Sequence, residues 1–77
     1  MSEAVIVDTK GMKCPLPVLK ARKAMRDLPD GATLRVLATD PGATKDFEHF
    51  CNTTGCELVE SGEQDGGVLR FLLRKPG

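Results

Sequence analysis

Two prolines placed just after a cysteine constrain this chain more than any other feature of its sequence. They lie in the segment Gly11-Met12-Lys13-Cys14-Pro15-Leu16-Pro17. Proline has no N–H to donate and its φ angle is held near the helical value, so the first turn of a helix accepts proline while a helix interior does not. The sequence therefore predicts that a helix begins at Pro15 and that Cys14 lies at its N-terminus.

This position predicts a reactive thiol. A helix N-terminus carries partial positive charge, which favours a thiolate, and Lys13 adds a full positive charge beside Cys14. A Cys-x-x-Cys redox motif would need its second cysteine at the position of Pro17. We therefore expect Cys14 to be a single nucleophilic thiolate that can attack and carry sulfur but cannot close a local disulfide.

Length and composition predict one small globular domain over residues 1–77. The chain is 40% hydrophobic and 29% charged, which argues against disorder, and with no Trp or Tyr and three Phe its core must be largely aliphatic. The apolar runs are too short to span a bilayer, and the N-terminus lacks the features of a signal peptide. An odd number of cysteines without an export signal favours a reducing cytoplasm. We expect a cytoplasmic monomer with no membrane contact.

Charge is unevenly distributed, although the net charge is zero. Residues 9–26 contain no acidic residue and six basic ones: Lys10, Lys13, Lys20, Arg22, Lys23 and Arg26. Residues 40–65 contain seven acidic residues opposed only by Lys45. The basic block surrounds Cys14, so an acidic partner or an anionic group would be steered toward the thiol. A solvated helix face is the simpler interpretation of the same charges.

Periodicity and turn residues divide the chain into six elements. Strands are predicted over 4–8, 33–38, 56–61 and 68–74, with a hairpin loop over 63–67. The first helix is predicted over 15–28, and its sheet-facing residues are Val18, Ala21, Met25 and Leu28. The second begins with Asp40 as N-cap and Pro41 as its first residue and ends at Gly55. Its predicted buried stripe consists of Ala43, Phe47, Phe50, Cys51 and Thr54.

The order β-α-β-α-β-β predicts a two-layer α/β sandwich. The first two strands are joined through a helix, so they should be parallel with a right-handed crossover. The last two strands should pair antiparallel. We therefore expect a four-stranded mixed sheet with both helices on one face.

The outer side of the first helix is a candidate docking surface. Leu16 and Leu19 point away from the predicted sheet, and Arg22 continues the same side. A partner that reaches the thiol would cover this region, although isolated surface leucines are common and need no special role. The candidate partner-binding residues are Lys13, Pro15, Leu16, Pro17, Leu19, Arg22, Lys23, Arg26 and Asp40.

The histidine, the other two cysteines and Asp8 argue against several other kinds of site. The single histidine, His49, is predicted on the solvent side of the second helix, so no base can be assigned to Cys14 as a cysteine protease would need. Asp8 could approach the Cys14 loop, but its charge would raise the pKa of the thiol. Cys51 belongs to the predicted core, whereas the role of Cys56 stays open. With His49, the three cysteines match no standard zinc spacing, so no metal is expected.

The segment Asp8-Thr9-Lys10-Gly11-Met12-Lys13-Cys14-Pro15-Leu16-Pro17 resembles the signature of the TusA-like (SirA-like) sulfur-carrier proteins, including its Cys-Pro-x-Pro motif. The likeness runs through the chain at Val18, Arg22-Lys23, Gly31, Asp40-Pro41, Asp46, Phe50-Cys51, Glu57-Leu58-Val59 and Arg70 to Lys75. Members are small cytoplasmic β-α-β-α-β-β domains. The chain ends in Arg74-Lys75-Pro76-Gly77, unlike ubiquitin-like carriers with a terminal glycine pair.

The resemblance implies what the thiol carries. Family members accept sulfur as a persulfide from a cysteine desulfurase and pass it to a downstream relay protein, and this role maps onto Cys14 and not onto Cys51. It implies no cofactor beyond the covalent persulfide sulfur. The route leads to 2-thiouridine in tRNA, and in some organisms to sulfur oxidation or molybdenum-cofactor maturation.

Two alternatives remain open from the residues alone. The basic helix face could belong to a regulatory or RNA-binding domain, although the few aromatic residues argue against base stacking and direct nucleic-acid contact. Cys14 could also form a redox pair with Cys51 or Cys56.

Overall fold

The computed structural model describes residues 5–76, apart from the side chain of Asp65, and its elements follow the predicted order. They are β1 (Val5–Thr9), α1 (Leu16–Arg26), β2 (Thr33–Ala38), α2 (Ala43–Thr54), β3 (Glu57–Gln64), a 3₁₀ turn (Asp65–Gly67) and β4 (Val68–Arg74). Ala4, predicted as the first strand residue, lies outside the described residues. Neither helix in the described chain is long and apolar enough to cross a membrane.

The four strands form one mixed sheet in the order β1-β2-β4-β3. β1 runs parallel to β2, with Val7 opposite Val36, and β2 runs antiparallel to β4, with Val36 opposite Phe71. β3 pairs antiparallel with β4 and carries an irregularity between Leu58 and Glu60. Both helices pack on one face, so the predicted two-layer α/β sandwich is confirmed.

The core lies between the helices and that face of the sheet. Alternate residues of β2 are buried, because successive side chains of a strand point to opposite faces. The ring of Phe47 lies 4.7 Å from that of Phe71 and 6.5 Å, edge to face, from that of Phe50. The surrounding buried residues are largely aliphatic, among them Val7, Ala21, Met25, Leu34, Val36 and Leu73.

The ends of α1 differ from the prediction. Pro15 is the N-cap and Leu16 the first helical residue, and the helix ends at Arg26 and not at Leu28. Beyond it, the N–H of Leu28 donates to Met25 at 3.1 Å in a turn. A residue that precedes proline is pushed out of the helical region, and Leu28 precedes Pro29, which accounts for the earlier end.

The start of α2 also differs. Asp40 is not its N-cap, which is Gly42, and the first helical residue is Ala43. The carboxylate of Asp40 accepts the N–H of Gly42 at 3.2 Å, closing a turn that delays the helix. At the other end the helix stops at Gly55, whose φ of 80° suits glycine, as predicted. Thr54 was predicted to be buried but is exposed.

β3 is longer than predicted. It runs from Glu57 to Gln64 because the pairing with β4 continues until Gln64 lies opposite Val68. Residues 63–64, predicted as loop, therefore belong to the strand, and the turn contracts to three residues containing Gly66 at a φ of 82°. Cys56 precedes the strand and does not belong to it.

The packing predicts that two leucines contribute very differently to the free energy of unfolding. Leu34 is fully buried and Leu19 is half exposed. Leu34→Ala should lower the free energy of unfolding by about 2–5 kcal/mol, because it leaves a cavity in the core. Leu19→Ala should change it by less than about 0.5 kcal/mol. Urea unfolding of both variants tests this, and equal losses would contradict the assigned core.

Candidate functional site around Cys14

The loops that build the site are joined at the carboxyl ends of β1 and β2. The hydroxyl of buried Thr9 donates to the carbonyl of Leu37 at 2.5 Å, and the N–H of Gly11 donates to the hydroxyl of Thr39 at 2.9 Å. Gly11 has a φ of 83°, which the turn after β1 requires and which glycine adopts without a steric penalty. Parallel strands end at the same edge, so the Cys14 loop lies beside the loop that leads into α2.

Cys14 is exposed in this loop, one residue before the N-cap of α1. The peptide bond between Cys14 and Pro15 is cis. Gly42 at the start of α2 lies against the cysteine, since a Cβ on Gly42 would be 3.9 Å from the Cβ of Cys14. The thiol therefore lies between the N-termini of both helices, where Sγ donates a hydrogen bond to Oδ2 of Asp46.

The charges around the thiol oppose the predicted thiolate. The hydrogen bond to Asp46 raises the pKa of Cys14 to about 11, and desolvation and the charges of Asp46 and Asp40 act in the same direction. The expectation that Lys13 and the helix terminus hold Cys14 as a thiolate is therefore wrong for the resting protein. The reason is that the turn before α2 and the first turn of α2 bring two carboxylates to the thiol.

Asp8, which was expected to approach the Cys14 loop, is not among the carboxylates that raise the pKa of the thiol. Its carboxylate accepts the backbone N–H of Lys10 at 3.0 Å, which lowers the pKa of Asp8, and it also lies 3.6 Å from the Lys10 ammonium. The anion that faces Cys14 comes from the second helix instead. Sequence reasoning missed Asp46 as a contact of Cys14. The sequence carries one indication of this contact. Asp46 lies in the first turn of the helix that follows β2, and because β2 runs parallel to β1, that helix begins at the sheet edge where the Cys14 loop lies.

A groove of about 330 Å³ runs between α1 and α2 from the thiol site. Asp46 lines it from α2 and Arg22 from α1, and its remaining lining residues are Pro15, Val18, His49, Phe50, Thr53 and Thr54. His49 is exposed, as predicted from the periodicity of α2. The groove thus joins the hydrogen-bonded thiol to the basic side of α1.

The candidate partner-binding residues fall into two groups. Leu16 and Leu19 are each 51% exposed, and the other exposed members are Lys13, Pro15, Arg22, Lys23 and Arg26. Pro17 is fully buried, so its prediction as a partner contact is wrong for the side chain. It lies in the first turn of α1 on the side that packs into the core. Asp40 is half-buried and lies at the thiol site, not on α1.

The other two cysteines form a separate, buried pair. Cys51 is 8% exposed and Cys56 is 6% exposed, and their sulfur atoms lie 2.9 Å apart. Burial, together with the contact with Cys56, raises the pKa of Cys51 to about 12. The predicted burial of Cys51 is confirmed, and Cys56 joins it in the core. All three cysteines are free, and Cys14 contacts Asp46 and neither of the others.

Within residues 5–76, no three His, Cys, Asp or Glu side chains are placed to hold a metal ion together. The site itself offers the exposed sulfur of Cys14 and the groove beside it. A free thiol with a carboxylate hydrogen-bond acceptor can act as a nucleophile once its proton is removed.

Comparison with known proteins identifies relatives over nearly the whole chain. A family model described as Sulfurtransferase TusA matches residues 5–75. The sulfur carrier protein TusA of Allochromatium vinosum is 48% identical over 69 residues, which are 90% of each chain. That of Pseudomonas aeruginosa is 41% identical over 70 residues, covering 91% of this chain and 89% of the relative. A SirA-like protein of Desulfitobacterium hafniense has a similar crystal structure, with a TM-score of 0.84, 26% identity and coverage of 95% and 99%.

The raised pKa predicts how Cys14 responds to pH. Its alkylation by iodoacetamide, followed by peptide mass spectrometry, should keep rising with pH toward about 11. An ordinary cysteine would level off above about pH 8.5. The alkylation rate rises with pH because the thiolate is the nucleophile, and a raised pKa leaves less thiolate near neutral pH. A rate that is already level at neutral pH would contradict the contact with Asp46.

Proposed function

The chain belongs to the Sulfurtransferase TusA family, and on that premise we propose that it is a sulfur carrier that holds sulfur as a persulfide on Cys14. The whole of residues 1–77 acts as one sulfur-carrier domain in this proposal. Two relatives that align with about nine-tenths of the chain are named sulfur carrier proteins, which supports the proposal.

Exposure is the observation that carries the assignment to Cys14. Sulfur moves between proteins by direct attack of one sulfur on another, so the carrier's thiol must reach the partner's surface. Of the three cysteines, Cys14 is exposed, whereas Cys51 and Cys56 are buried. Cys14 also lies in the Cys-Pro-x-Pro segment on which the family resemblance rests.

The transfer is an exchange at sulfur. The sulfur of Cys14 attacks the terminal sulfur of a donor persulfide, forming a new S–S bond while the donor's own S–S bond breaks. The donor leaves as a thiol, and Cys14 now carries the extra sulfur as a persulfide. An acceptor thiolate then attacks that terminal sulfur, and Cys14 returns to its free form. No external oxidant is needed, because the oxidation level of the moving sulfur is retained.

We propose a cysteine desulfurase as donor and a downstream relay protein as acceptor. The exposed leucines of α1, Leu16 and Leu19, lie near the thiol, and Arg22 continues the surface along the groove. Apolar anchors with a basic rim suit a partner whose own rim is acidic. Asp40 at the thiol site would meet the same partner.

The destination proposed for the sulfur is 2-thiouridine in tRNA, and delivery takes place in the cytoplasm. Sulfur oxidation and molybdenum-cofactor maturation are alternative destinations for the same carrier chemistry. Thionucleoside analysis of tRNA from a strain lacking this protein distinguishes them, because only the first destination requires loss of 2-thiouridine.

The rival function, a regulatory or RNA-binding domain, finds less support. Single-stranded RNA is commonly bound by stacking its bases on exposed aromatic side chains. The chain has no Trp or Tyr, and its three phenylalanines, Phe47, Phe50 and Phe71, are all buried in the core. The basic side of α1 could still attract phosphate, but the aromatic ring beside it in the groove, that of Phe50, is buried.

We expect Cys14→Ser to abolish sulfur acceptance and Cys51→Ala and Cys56→Ala to retain it. The reason is that only the first variant removes the exposed thiol. The measurement is mass spectrometry of each protein after incubation with a cysteine desulfurase and cysteine. Cys14→Ser should also fold as the wild type does, since the side chain it removes is exposed.

The same measurement separates the rivals. A persulfide that persists on the Cys14→Ser protein would overturn the assignment of Cys14. An intramolecular disulfide in the wild type involving Cys14 would instead indicate a redox protein, and an unmodified wild type would indicate a binding domain.

Docking through α1 predicts a charge-dependent effect. Arg22→Glu should slow persulfide loading by the desulfurase at low salt, and the effect should fade as salt shortens the range of the charges. Leu19→Asp should slow loading at any salt concentration. Lys20→Glu makes a similar charge change on the same helix, but Lys20 acts on Asp8 at the β1 side and not on the groove. It should leave loading unchanged, whereas loading that also stays unchanged in Arg22→Glu and Leu19→Asp at low salt would show that the partner docks elsewhere.

A further inference from the structure

Asp46 is the one side chain that accepts a hydrogen bond from the thiol of Cys14 in the described structure. It lies in the first turn of α2, half-buried, and its backbone N–H donates to Gly42 at 3.2 Å, which holds that turn in place. A carboxylate is favoured in the first turn of a helix because the terminus carries partial positive charge. Asp46 is therefore a positioned anion directed at the reacting sulfur.

This contact presents a difficulty for a sulfur carrier. Cys14 must attack a donor persulfide, but the bond to Asp46 holds its sulfur as S–H, which is a poor nucleophile. The same raised pKa leaves less thiolate near neutral pH, which slows reaction with stray electrophiles and oxidants. Reaction with the correct donor then requires a group that takes the proton at the moment of attack.

We infer that Asp46 is the proton acceptor of the loading step and returns that proton to the departing donor sulfur. This inference rests on the proposed function and names the catalytic residue that the proposed chemistry needs. A general base must lie within hydrogen-bond reach of the proton that it removes. Asp46 meets this requirement, and no other side chain in the described chain accepts a hydrogen bond from Sγ of Cys14.

The step balances without any further reactant. The carboxylate of Asp46 takes the proton from Sγ as Sγ attacks the terminal sulfur of the donor persulfide. A new S–S bond forms on Cys14, the donor's S–S bond breaks, and its electron pair stays on the donor sulfur. The carboxylic acid of Asp46 then gives the proton to that sulfur, so the donor leaves as a thiol. Once loaded, Sγ has no proton to donate, so the hydrogen bond from Sγ to Asp46 is lost.

The other charged groups near the thiol are less suited to this role. Asp40 acts on Cys14 only through its charge, because its carboxylate already accepts the N–H of Gly42. Asp8 is engaged with Lys10 at the end of β1. Of the cationic and titratable groups nearby, Arg22 from α1 and His49 from α2 line the groove beside the site, and Lys13 is exposed in the Cys14 loop.

Two readouts on Asp46→Asn test the inference in the full-length protein. The first is the pH dependence of Cys14 alkylation by iodoacetamide, and the second is the rate of persulfide loading from glutathione persulfide, a defined donor that needs no docking surface. Iodide leaves without a proton, so alkylation depends only on thiolate. The departing glutathione sulfur needs the proton that Asp46 returns. The two readouts therefore separate restraint of the thiol from catalysis.

Opposite changes are expected. Without the carboxylate, alkylation near neutral pH should become about tenfold faster, since the gain in thiolate exceeds the loss of nucleophilicity that accompanies a lower pKa. Loading should become at least about tenfold slower, because general acid–base assistance is lost. Asp46→Glu should recover part of the loading rate. The matched control Glu48→Gln removes an exposed carboxylate from the same helix that does not act on Cys14, and it should change both rates by less than about threefold.

Three results would overturn the inference. Unchanged alkylation in Asp46→Asn would mean that the contact with Cys14 does not form in solution. Faster loading together with faster alkylation would mean that Asp46 only keeps the thiol protonated and does not assist the transfer. An unchanged loading rate would mean that Asp46 takes no part in the loading step. A wild-type protein that accepts sulfur neither from glutathione persulfide nor from a desulfurase would overturn the proposed function itself, which is a different outcome from loss of the Asp46 effect alone.

Discussion

The parallel pairing of β1 with β2 is the constraint on which the rest of the structure depends. It requires a crossover, which α1 provides, and it places the carboxyl ends of both strands at one edge of the sheet. The hydrogen bonds from Thr9 to Leu37 and from Gly11 to Thr39 hold that edge together. The loop that carries Cys14 and the turn that begins α2 meet there, and the position of the thiol follows from that meeting.

The chemistry of the site is decided by which charge lies closest to the sulfur. Lys13 and the start of α1 would favour a thiolate, whereas Asp46 makes direct contact and Asp40 adds a second negative charge. The direct hydrogen bond to Asp46 affects the pKa of Cys14 more than the charge of Lys13 does, because Lys13 is exposed and solvent screens exposed charges. The resting carrier is therefore a protonated thiol, which suits a protein that has to reach its partner before it reacts.

The fold also separates the cysteines into two environments. Cys51 and Cys56 lie against each other in the core, at the end of α2 and just before β3, while Cys14 lies exposed at the opposite end of α2. The buried pair packs as small apolar side chains do. A single exposed thiol remains for exchange with other proteins, and this supports the division of roles proposed above.

The sequence by itself determined the order of the elements, the mixed two-layer architecture, the exposure of Leu19 and the burial of Cys51. These follow from local periodicity and from the crossover rule, both of which can be read along the chain. Only the tertiary structure decided that Asp46 and not Asp8 faces Cys14, and that Pro17 belongs to the core. The contact between Cys14 and Asp46 joins residues 32 positions apart. Its geometry depends on how two helices pack on one sheet, which no local pattern in the sequence specifies.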